Sequence, residues 1–473
     1  MNVISANGTS PASVGDIHGL PVDNPCLSFW QQTTRSFPHL LANSQSSLPS
    51  STKYLVIGSG LSGALTSFDL IHSAGVPGSD VLILEAREAA SGATSRNAGH
   101  VRPDAFRGFQ AYRRVHGTEQ AVKIIENERD VLHKIDEFVS RHHIPCDFNL
   151  ATTLDVCLAP EFAEFNARSF KEYQDAGGDV SHVKFFEGAE AAKRTGIKET
   201  VSAYEWPAGS SHPAKLAQWL LNQSLDEGAL LFTQCPALKI SKSSNTTEAW
   251  WDIETPKGTI TAQTVIHCSN GFVGHLVPQL KAYVTPTRAQ ALSFVPPAAL
   301  SGHNMLASTM SLRYSLYKFY SVMQRKADGI FIVGASIRNP DLSRETVEGM
   351  ATRDDTLFND EIKHDIIANF EKHLPVCESG RLKHGEGAQH SWSGILGMTT
   401  DSVPFVGRLD DWPGQYVCAG FNGHGMARIF NCAPAVVKMI HGANWSDTGL
   451  PECFGVTEER LKRLSKDSVE SIL

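Results

Sequence analysis

The sequence predicts an α/β protein in which a Rossmann-like nucleotide-binding domain is interleaved with a second domain built on a mixed sheet. Three observations predict this fold. The apolar run "KYLVIGSG" at residues 53–60 ends in glycines and is followed by a helical stretch and a second apolar run. A strand, a glycine-rich turn and a helix follow one another again near the C-terminus. Between them, short strand-like runs mix with helical stretches, as is typical of a mixed sheet.

The first of these segments reads as a βαβ unit. Residues 53–60 form a continuous apolar run, which is typical of a strand that is buried on both faces. Residues 61–75 have helical spacing and end at a glycine, and residues 80–87, "DVLILEAR", form the next buried strand. Farther along, residues 116–142 carry apolar side chains along one stripe, which predicts a long amphipathic helix.

A Gly-x-Gly-x-x-Gly pattern, formed by Gly58, Gly60 and Gly63, lies between the first strand and its helix. The first glycine permits a tight turn, the second lets a diphosphate approach the backbone, and the third lets helix and strand pack closely. Glu85 ends the second strand, where a carboxylate can bond the ribose hydroxyls of an adenosine. The pattern therefore predicts a dinucleotide site, but it does not distinguish NAD from FAD.

Two further loops favour FAD. The segment "SGATSRNAGHVRPD" at residues 91–104 is a second loop rich in Gly, Ser and Thr. An NAD-binding unit has no use for such a loop, whereas the longer FAD needs one beside its diphosphate and flavin. The C-terminal segment "AGFNGHGMARIF" at residues 419–430 can direct backbone N–H groups at the flavin N1/C2=O edge. The predicted cofactor is FAD.

At these residues the chain resembles the FAD-dependent amine and amino-acid oxidoreductases of the D-amino-acid oxidase, glycine oxidase and sarcosine oxidase type. The segments "HPAKLAQWL", "VIHCSNGFVGHLVP" and "WSGILGMTTDSVPFVGRL" match in the same order. The variants "SGATSRNAGH" and "LPVDNPCLSFW" are most similar to a fungal branch, some members of which serve secondary metabolism. The resemblance implies a second domain whose sheet covers the flavin, and removal of hydride from a carbon that bears nitrogen, with O2 as the usual electron acceptor.

The resemblance also implies which residues hold the cofactor. Those matched to the ADP half are Gly58, Gly60, Leu61, Ser62, Gly63, Glu85, Ala86 and Arg87. Those matched to the flavin side are Ala93, Thr94, Ser95, Arg96, Asn97, Ala98, Gly99, Gly423, His424, Gly425 and Met426. Further cofactor-binding candidates are Asn270, Gly271 and Gly394.

We expect this FAD to be held noncovalently. Several relatives attach it through a histidine two residues after the threonine of an "SGxTWH" motif, and that position is Arg96 here. Others use a cysteine in the C-terminal half, and "WSGILGMTTDSVP" contains none. Cys377, Cys418 and His100 keep a covalent link open.

Four residues are the candidates for catalysis. In amino-acid-oxidising relatives an arginine binds the substrate carboxylate, and Arg102 and Arg288 are the candidates for this role. Arg288 lies on a predicted strand and can instead pair with an acid. His100 and His424 flank the predicted flavin from two loops and could accept a proton from the substrate or stabilise the charged flavin. The aromatic candidates for a wall of the site, which core packing explains equally well, are Trp392, Tyr317 and Tyr320.

The segments divide into interleaved domains. Residues 1–52 are predicted to be an extended N-terminal segment that packs onto the body, and residues 446–473 a C-terminal tail. The FAD-binding domain is assigned residues 53–145, 205–285 and 385–445. The substrate domain is assigned residues 146–204 and 286–384.

Composition excludes several classes of partner. The formal net charge is −8 and the chain has no basic block, so neither nucleic acid nor an anionic membrane is expected as a partner. No segment reaches the ~18 apolar residues of a membrane span. The nine cysteines are scattered without a CxxC pair, which predicts neither a disulfide framework nor a metal site. A cytoplasmic location is expected, and the terminal Ser471–Leu473 is only weakly similar to a peroxisomal address.

Three functions remain open from the sequence. The first is an FAD-dependent oxidase or dehydrogenase that converts an amine, an amino acid or another nitrogen-bearing metabolite into an imine. The second is an FAD-dependent monooxygenase that uses NAD(P)H, which ranks lower because the usual "GD" loop is replaced by "AGFNGHGM". The third is a flavoprotein without catalytic activity. The substrate and the electron acceptor are not identified.

Overall fold

The chain is described by a computed structural model that covers residues 17–244, 250–374 and 382–466. Its strands there, in chain order, are β1 (Ser51–Ile57), β2 (Val81–Leu84), β3 (His100–Val101), β4 (Asn149–Cys157), β5 (Lys184–Glu187), β6 (Ser202–Ser210), β7 (Leu230–Phe232), β8 (Lys239–Lys242), β9 (Trp251–Thr255), β10 (Gly258–His267), β11 (Val284–Val295), β12 (Thr309–Arg313), β13 (Phe319–Gln324), β14 (Phe331–Ala335), β15 (Gly387–Thr399), β16 (Phe405–Arg408) and β17 (Gln415–Ala419).

The α-helices within the same ranges connect and cover these strands. They are α1 (Phe29–Gln32), α2 (Leu61–His72), α3 (Phe109–His116), α4 (Thr118–His142), α5 (Pro160–Asp175), α6 (Gly188–Thr195), α7 (Pro213–Asp226), α8 (Val273–Leu276), α9 (Arg344–Glu348), α10 (Asp360–His373), α11 (Ile429–Ile440) and α12 (Glu458–Lys466).

The first sheet is mostly parallel and has the strand order β16-β17-β10-β1-β2-β7. Strands β17, β10, β1, β2 and β7 are parallel, β16 pairs antiparallel at one edge, and the β8–β9 pair joins through β10. Helix α2 connects β1 to β2 and packs against α7 and α11. Leu55, Val56 and Ile83 are fully buried, as expected for strands covered on both faces. The predicted βαβ unit is confirmed.

The second sheet is mixed and has the strand order β15-β11-β14-β13-β12-β4-β6-β3, with β5 paired to β6. The β12–β4 pair is parallel and the other pairs are antiparallel. Phe370 and Ile366 of α10 pack into the apolar cluster on this sheet, together with Phe294 and Phe331. This arrangement agrees with the predicted fold class.

Two of the predicted domain boundaries differ from the strand pairing. Strand β6 lies wholly in the second sheet, so the return to the first sheet follows residue 210 rather than residue 205. Strand β15 also belongs to the second sheet, because it pairs along almost the whole length of β11. Residues 387–399 therefore cannot belong to the nucleotide-binding segment that was assigned from residue 385. An apolar run has the same sequence pattern in either sheet, and only its partner strand decides the assignment.

The N-terminal segment packs directly against the second glycine-rich loop. Trp30 is fully buried, and its indole Nε1–H donates to the carbonyl of Asn97 at 2.7 Å. Ser28 caps α1 with a reciprocal capping box, and its hydroxyl donates to the carbonyl of Ser95. The backbone N–H of Cys26 donates to the carbonyl of Asp355 at 2.8 Å. The segment thus supports this loop from the side.

Candidate active site

A nucleotide-sized cleft lies at the carboxyl ends of β1 and β2, with about 1250 Å3 of empty space including its mouth. Gly58 has a φ of +107°, and a Cβ there would lie 2.7 Å from the carbonyl oxygen of Cys268. A Cβ on Gly63 would lie 1.8 Å from the carbonyl oxygen of Gly58. Only glycine fits at these two positions, and Gly60 leaves the N-terminus of α2 open toward the cleft. A helix N-terminus in a glycine turn suits a diphosphate.

Glu85 lies in the wall of this cleft and holds the glycine turn. Its carboxylate accepts hydrogen bonds from the Ser59 backbone N–H at 3.0 Å, the Ser59 hydroxyl at 2.6 Å and the Arg87 backbone N–H at 2.9 Å. Thr94 accepts from the backbone N–H of Leu61 at 2.8 Å, which ties the second loop to α2. The glycine cradle and the carboxylate would fit the ADP half of FAD.

Most of the predicted cofactor residues line the cleft, and the others divide into two groups. Those in the lining are Gly58, Gly60, Leu61, Ser62, Glu85, Ala86, Arg87, Ala93, Thr94, Asn97, Asn270, Gly423, Gly425 and Met426. Ala98 and His424 line a neighbouring cavity instead. The predicted residues found in neither lining are Gly63, Ser95, Arg96, Gly99, Gly271 and Gly394.

Arg96 shows why this last group lies outside the cleft. Its side chain is 1% exposed and runs toward Asp355, with Nε 3.5 Å from a carboxylate oxygen. It also donates to the carbonyls of Ser91 at 2.8 Å and Ser393 at 2.9 Å. A Cβ on Gly394 would lie 2.6 Å from the Cβ of Arg96. These residues support the loop that faces the cleft. A sequence motif does not distinguish the residues that face the cleft from the residues that support them.

Sequence reasoning missed part of the cleft lining. Leu20 and Pro21 come from the N-terminal segment, and Pro236 and Ala237 follow β7. Leu20 and Pro21 begin the segment "LPVDNPCLSFW" but were not among the predicted cofactor residues, and Pro236 and Ala237 belong to no motif. Both reach the cleft only because their segments cross the carboxyl end of the first sheet.

A second cavity, which we call the arginine chamber, adjoins the cleft and has about 1360 Å3 of empty space including its mouth. Its lining includes Arg102, Arg107, Arg313, Arg338, His100, His424 and Tyr317. Asn97, Leu396, Gly423 and Met426 line both cavities. A small molecule in the chamber would therefore lie beside the end of the cleft that the two glycine-rich loops enclose.

Asp155 holds three of these arginines together behind the chamber wall. The carboxylate is fully buried and accepts from Arg102, from Nη1 of Arg107 at 2.9 Å and from Nε of Arg313 at 3.2 Å. Burial by itself would raise the pKa of Asp155, but Arg107, Arg102 and Arg313 hold it well below its usual range. Burial, followed by repulsion from Arg107, lowers the pKa of Arg313 to about 9. All four groups are charged at neutral pH.

His100 presents an uncharged imidazole to the chamber. Neither ring nitrogen has a hydrogen-bond partner among the described residues, although both are buried. Burial and the nearby charge of Arg102 lower the pKa of His100 to about 3. Its ring can therefore accept or donate one hydrogen bond at neutral pH without carrying charge.

His424 is held from behind by Glu128, a fully buried residue of α4. Nδ1 of His424 lies 3.3 Å from the Glu128 carboxylate. The same carboxylate accepts from Nε of Arg428 at 2.8 Å and from the Asp104 backbone N–H at 2.7 Å. Burial would raise the pKa of Glu128, but His424 and Arg428 hold it at about 2. The carboxylate fixes the orientation of the imidazole at the edge of the chamber.

Several predicted residues lie elsewhere. Arg288 lines neither cavity, because Ala289 faces the chamber and successive side chains on β11 point to opposite faces. The hydroxyl of Tyr320 donates to Asp365 at 2.8 Å, and the indole of Trp392 donates to the carbonyl of Arg96 at 2.8 Å, so both pack in the core. Of the three aromatic candidates, Tyr317 lines the chamber.

Five charged residues of the site, Arg107, Glu128, Asp155, Arg313 and Arg428, were missed from the sequence. Arg428 lies in the segment "AGFNGHGMARIF" but was not selected there, and no motif marks the other four. The five residues come from α4, β4, β12 and the segments beside α3 and α11. The available signal was that Arg107 follows Arg102 by five residues in the same loop.

Other predictions concern covalent links, metals and membranes. Cys418 is fully buried in β17 and does not line the cleft, and Cys377 lies outside the described residues. Within residues 17–244, 250–374 and 382–466, no cluster of three or more His, Cys, Asp or Glu side chains could hold a metal ion. None of the helices described there is long and apolar enough to span a membrane.

The structure has a dinucleotide cleft with a glycine turn, and a charged chamber lies beside it. This combination is typical of one class of proteins, the flavin-dependent oxidoreductases with a Rossmann-like domain. The profile of the FAD dependent oxidoreductase family, DAO, matches residues 53–439, and the chain belongs to this family. Its members bind FAD, which the cleft residues described above would hold.

Similar proteins agree with this membership. The "Probable oxidoreductase OrdL" of Rhizobium meliloti (strain 1021) is 24% identical over 82% of each chain. The "Gamma-glutamylputrescine oxidoreductase" of Escherichia coli (strain K12) is 21% identical over 82% of this chain and 83% of its own. The structure of glycine oxidase from Geobacillus kaustophilus has a TM-score of 0.64 at 17% identity, covering 87% of this chain and 99% of its own.

Proposed function

We propose that this enzyme removes hydride from the carbon next to the nitrogen of a small amine or amino acid and releases an imine, with O2 as the electron acceptor. The observation that carries the proposal is that the two cavities adjoin and share the lining residues Asn97, Leu396, Gly423 and Met426. FAD, when bound, supplies the two-electron acceptor for this chemistry. A substrate in the chamber would lie beside it.

The residues of the chamber suit an amine with a carboxylate. Arg102 lines the chamber and keeps N–H donors beyond the one that it gives to Asp155, so it can bind a carboxylate. His100 is uncharged and can hold the substrate nitrogen in its unprotonated form by accepting a hydrogen bond. Arg288 has no part in this proposal.

His424 is the proposed group for the proton that leaves the nitrogen. It lies on the loop that lines both cavities, and Glu128 stabilises its imidazolium through Nδ1. The names of two similar proteins, a glycine oxidase and a gamma-glutamylputrescine oxidoreductase, support a substrate with an oxidisable C–N bond.

The test is anaerobic mixing of the FAD-loaded protein with a panel of amines and amino acids. The expected result is substrate-dependent loss of the oxidised flavin band, its return on admission of air, and formation of H2O2. Loss of the band with NADPH alone would favour a monooxygenase instead. Absence of any change with every amine would favour a flavoprotein without catalytic activity.

Replacing His424 by asparagine provides a second test. The variant keeps a polar side chain but loses the proton acceptor, so the rate of flavin reduction should fall about 100-fold or more. The substrate dissociation constant should change far less. An unchanged reduction rate would remove His424 from the proposal.

A further inference from the structure

The N-terminal segment supplies part of the wall of the nucleotide cleft. Leu20 and Pro21 line this cleft. Both belong to residues 17–30, which we call the strap. The strap precedes residue 53, where the match to the family profile begins. It is therefore an element at the cofactor site that the family profile does not describe.

The strap contacts both domains. A Cβ added to Gly274 would lie 3.3 Å from Nδ1 of His18, so this end of the strap packs beside α8, which follows β10 of the first sheet. Nη1 of Arg353 donates to the carbonyl of Leu20 at 2.5 Å. Arg353 lies between α9 and α10, and α10 packs on the second sheet. The strap thus bridges the two domains at the point where its residues line the cleft.

Asp355 connects the strap to another residue of the cleft wall. Its fully buried carboxylate accepts from Nη1 of Arg87 at 2.9 and 3.1 Å, and Arg87 lines the cleft. Its backbone carbonyl accepts from the N–H of Cys26 at 2.8 Å. The ion pair keeps Asp355 in place, because separating two buried charges would leave both uncompensated. Cys26 is therefore attached to a rigid point of the wall.

The far end of the strap binds the second glycine-rich loop. Ser28 and Trp30 donate to the carbonyls of Ser95 and Asn97, and Asn97 lines both cavities. Ser28 and Trp30 are fully buried, whereas residues 17–27 are all half-buried or exposed. A segment without fully buried side chains can open locally while both sheets stay folded. Its opening would uncover the part of the cleft that Leu20 and Pro21 line.

We propose that the strap is part of the FAD site and limits the rate at which bound FAD leaves it. Leu20 and Pro21 give the cofactor an apolar contact that dissociation must break, and residues 17–27 must open before FAD can leave. By the same linkage, bound FAD stabilises the closed strap. The proposal concerns retention of the cofactor, so it goes beyond the proposed reaction and does not depend on the identity of the substrate.

Leu20→Ala tests the apolar contact. The variant removes most of a side chain that lines the cleft, so the FAD dissociation rate should rise about 5- to 30-fold. FAD-loaded protein is diluted, and the flavin that stays bound is measured by absorbance after gel filtration at timed intervals. Leu27→Ala is the matched control, because that side chain lies on the same strap, is 41% exposed and lines neither cavity. Its dissociation rate should stay within about 2-fold of the wild-type rate.

Arg353→Met tests the anchor of the strap. It keeps an unbranched side chain but removes the N–H donor to the Leu20 carbonyl, so FAD should dissociate about 3- to 10-fold faster. Arg344→Met is the control, because that arginine is 89% exposed and pairs with Glu348 of its own helix. Wild-type dissociation rates in both Leu20→Ala and Arg353→Met, or the same increase in each variant and its control, would overturn the proposal.

Hydrogen exchange of the wild-type protein tests the proposal without a substitution. Peptides that cover residues 17–27 should exchange about 10-fold more slowly with FAD than without it, because the bound cofactor stabilises the closed strap. The control is α12, which lines neither cavity and should change far less. Equal exchange of residues 17–27 with and without FAD, or equal protection of α12, would contradict the proposal. These measurements require no turnover, so failure to oxidise any amine would refute the proposed function alone.

Discussion

Replacing Glu128 by glutamine removes one half of a fully buried ion pair and keeps the size of the side chain. Arg428, which is also fully buried, would retain the hydroxyl of Tyr112 at 2.8 Å and the carbonyl of Ser402 at 3.1 Å. It would have no carboxylate to neutralise it. Removing one partner of a buried pair costs about 3–5 kcal/mol, because the remaining charge is uncompensated.

The pKa of Glu128 gives a second route to the same magnitude. His424 and Arg428 outweigh burial and hold it at about 2, against a usual 4.5. Each pKa unit corresponds to about 1.4 kcal/mol, so ionised Glu128 contributes about 3 kcal/mol to folding at neutral pH. A lowered pKa means that this contribution is complete above pH 4.5 and is lost as the pH falls toward 2. At pH 3.5 about 1 kcal/mol of it should be gone.

Urea unfolding at pH 7 and pH 3.5, followed by tryptophan fluorescence, measures both effects. The matched control is Glu137→Gln on the same helix, whose pair with Arg141 is exposed and worth about 0.5 kcal/mol or less. Glu128→Gln should lower the free energy of unfolding by about 3–5 kcal/mol at pH 7, and the gap to wild type should narrow at pH 3.5. A loss no larger than that of Glu137→Gln would refute the reasoning.

Three further predictions follow from the structure. Gly63→Ala should abolish FAD binding and lower the thermal midpoint sharply, because its Cβ would lie 1.8 Å from the Gly58 carbonyl oxygen. The control is Gly75→Ala, which has open space around it and a φ of +71°, and which should lower the free energy of unfolding by about 1 kcal/mol. Stability should fall as the pH drops below 6.5, because burial lowers the pKa of His212 to about 3 and of His267 to about 4, so the unfolded chain binds more protons there. At pH 5.5 the stability lost through each histidine should be about 1 kcal/mol, and His267→Gln should flatten the pH dependence of the melting temperature. Mass spectrometry of the denatured holoprotein should give the mass of the bare chain, and a retained flavin mass would contradict noncovalent binding.

The parts of the fold that the sequence predicted are those whose constraints are local. Gly63 has no room for a side chain because its Cβ would lie 1.8 Å from the carbonyl oxygen of Gly58, which is five residues earlier in the chain. The apolar runs of β1 and β2 and the helical spacing of α2 likewise report burial within one short segment. For this reason the βαβ unit, the cofactor and the family could be inferred without the structure.

The charged site could not be inferred in the same way. Glu128 and His424 are 296 residues apart in the chain, and Asp155 and Arg313 are 158 apart. They meet because β12 pairs with β4 in parallel and because α4 packs against α11. Arg288 is the opposite case. Its guanidinium could bind a carboxylate, but its side chain points away from the chamber on β11.

The sequence by itself determined the nucleotide-binding unit, the flavin and the membership in an oxidoreductase family, since steric limits and periodic burial are recorded in neighbouring residues. The tertiary structure decided which arginines surround the substrate cavity, which carboxylate holds His424, and to which sheet β6 and β15 belong. The physical reason is that strand register and the pairing of buried charges minimise a free energy summed over distant segments. A short stretch of sequence does not contain the information on these distant contacts.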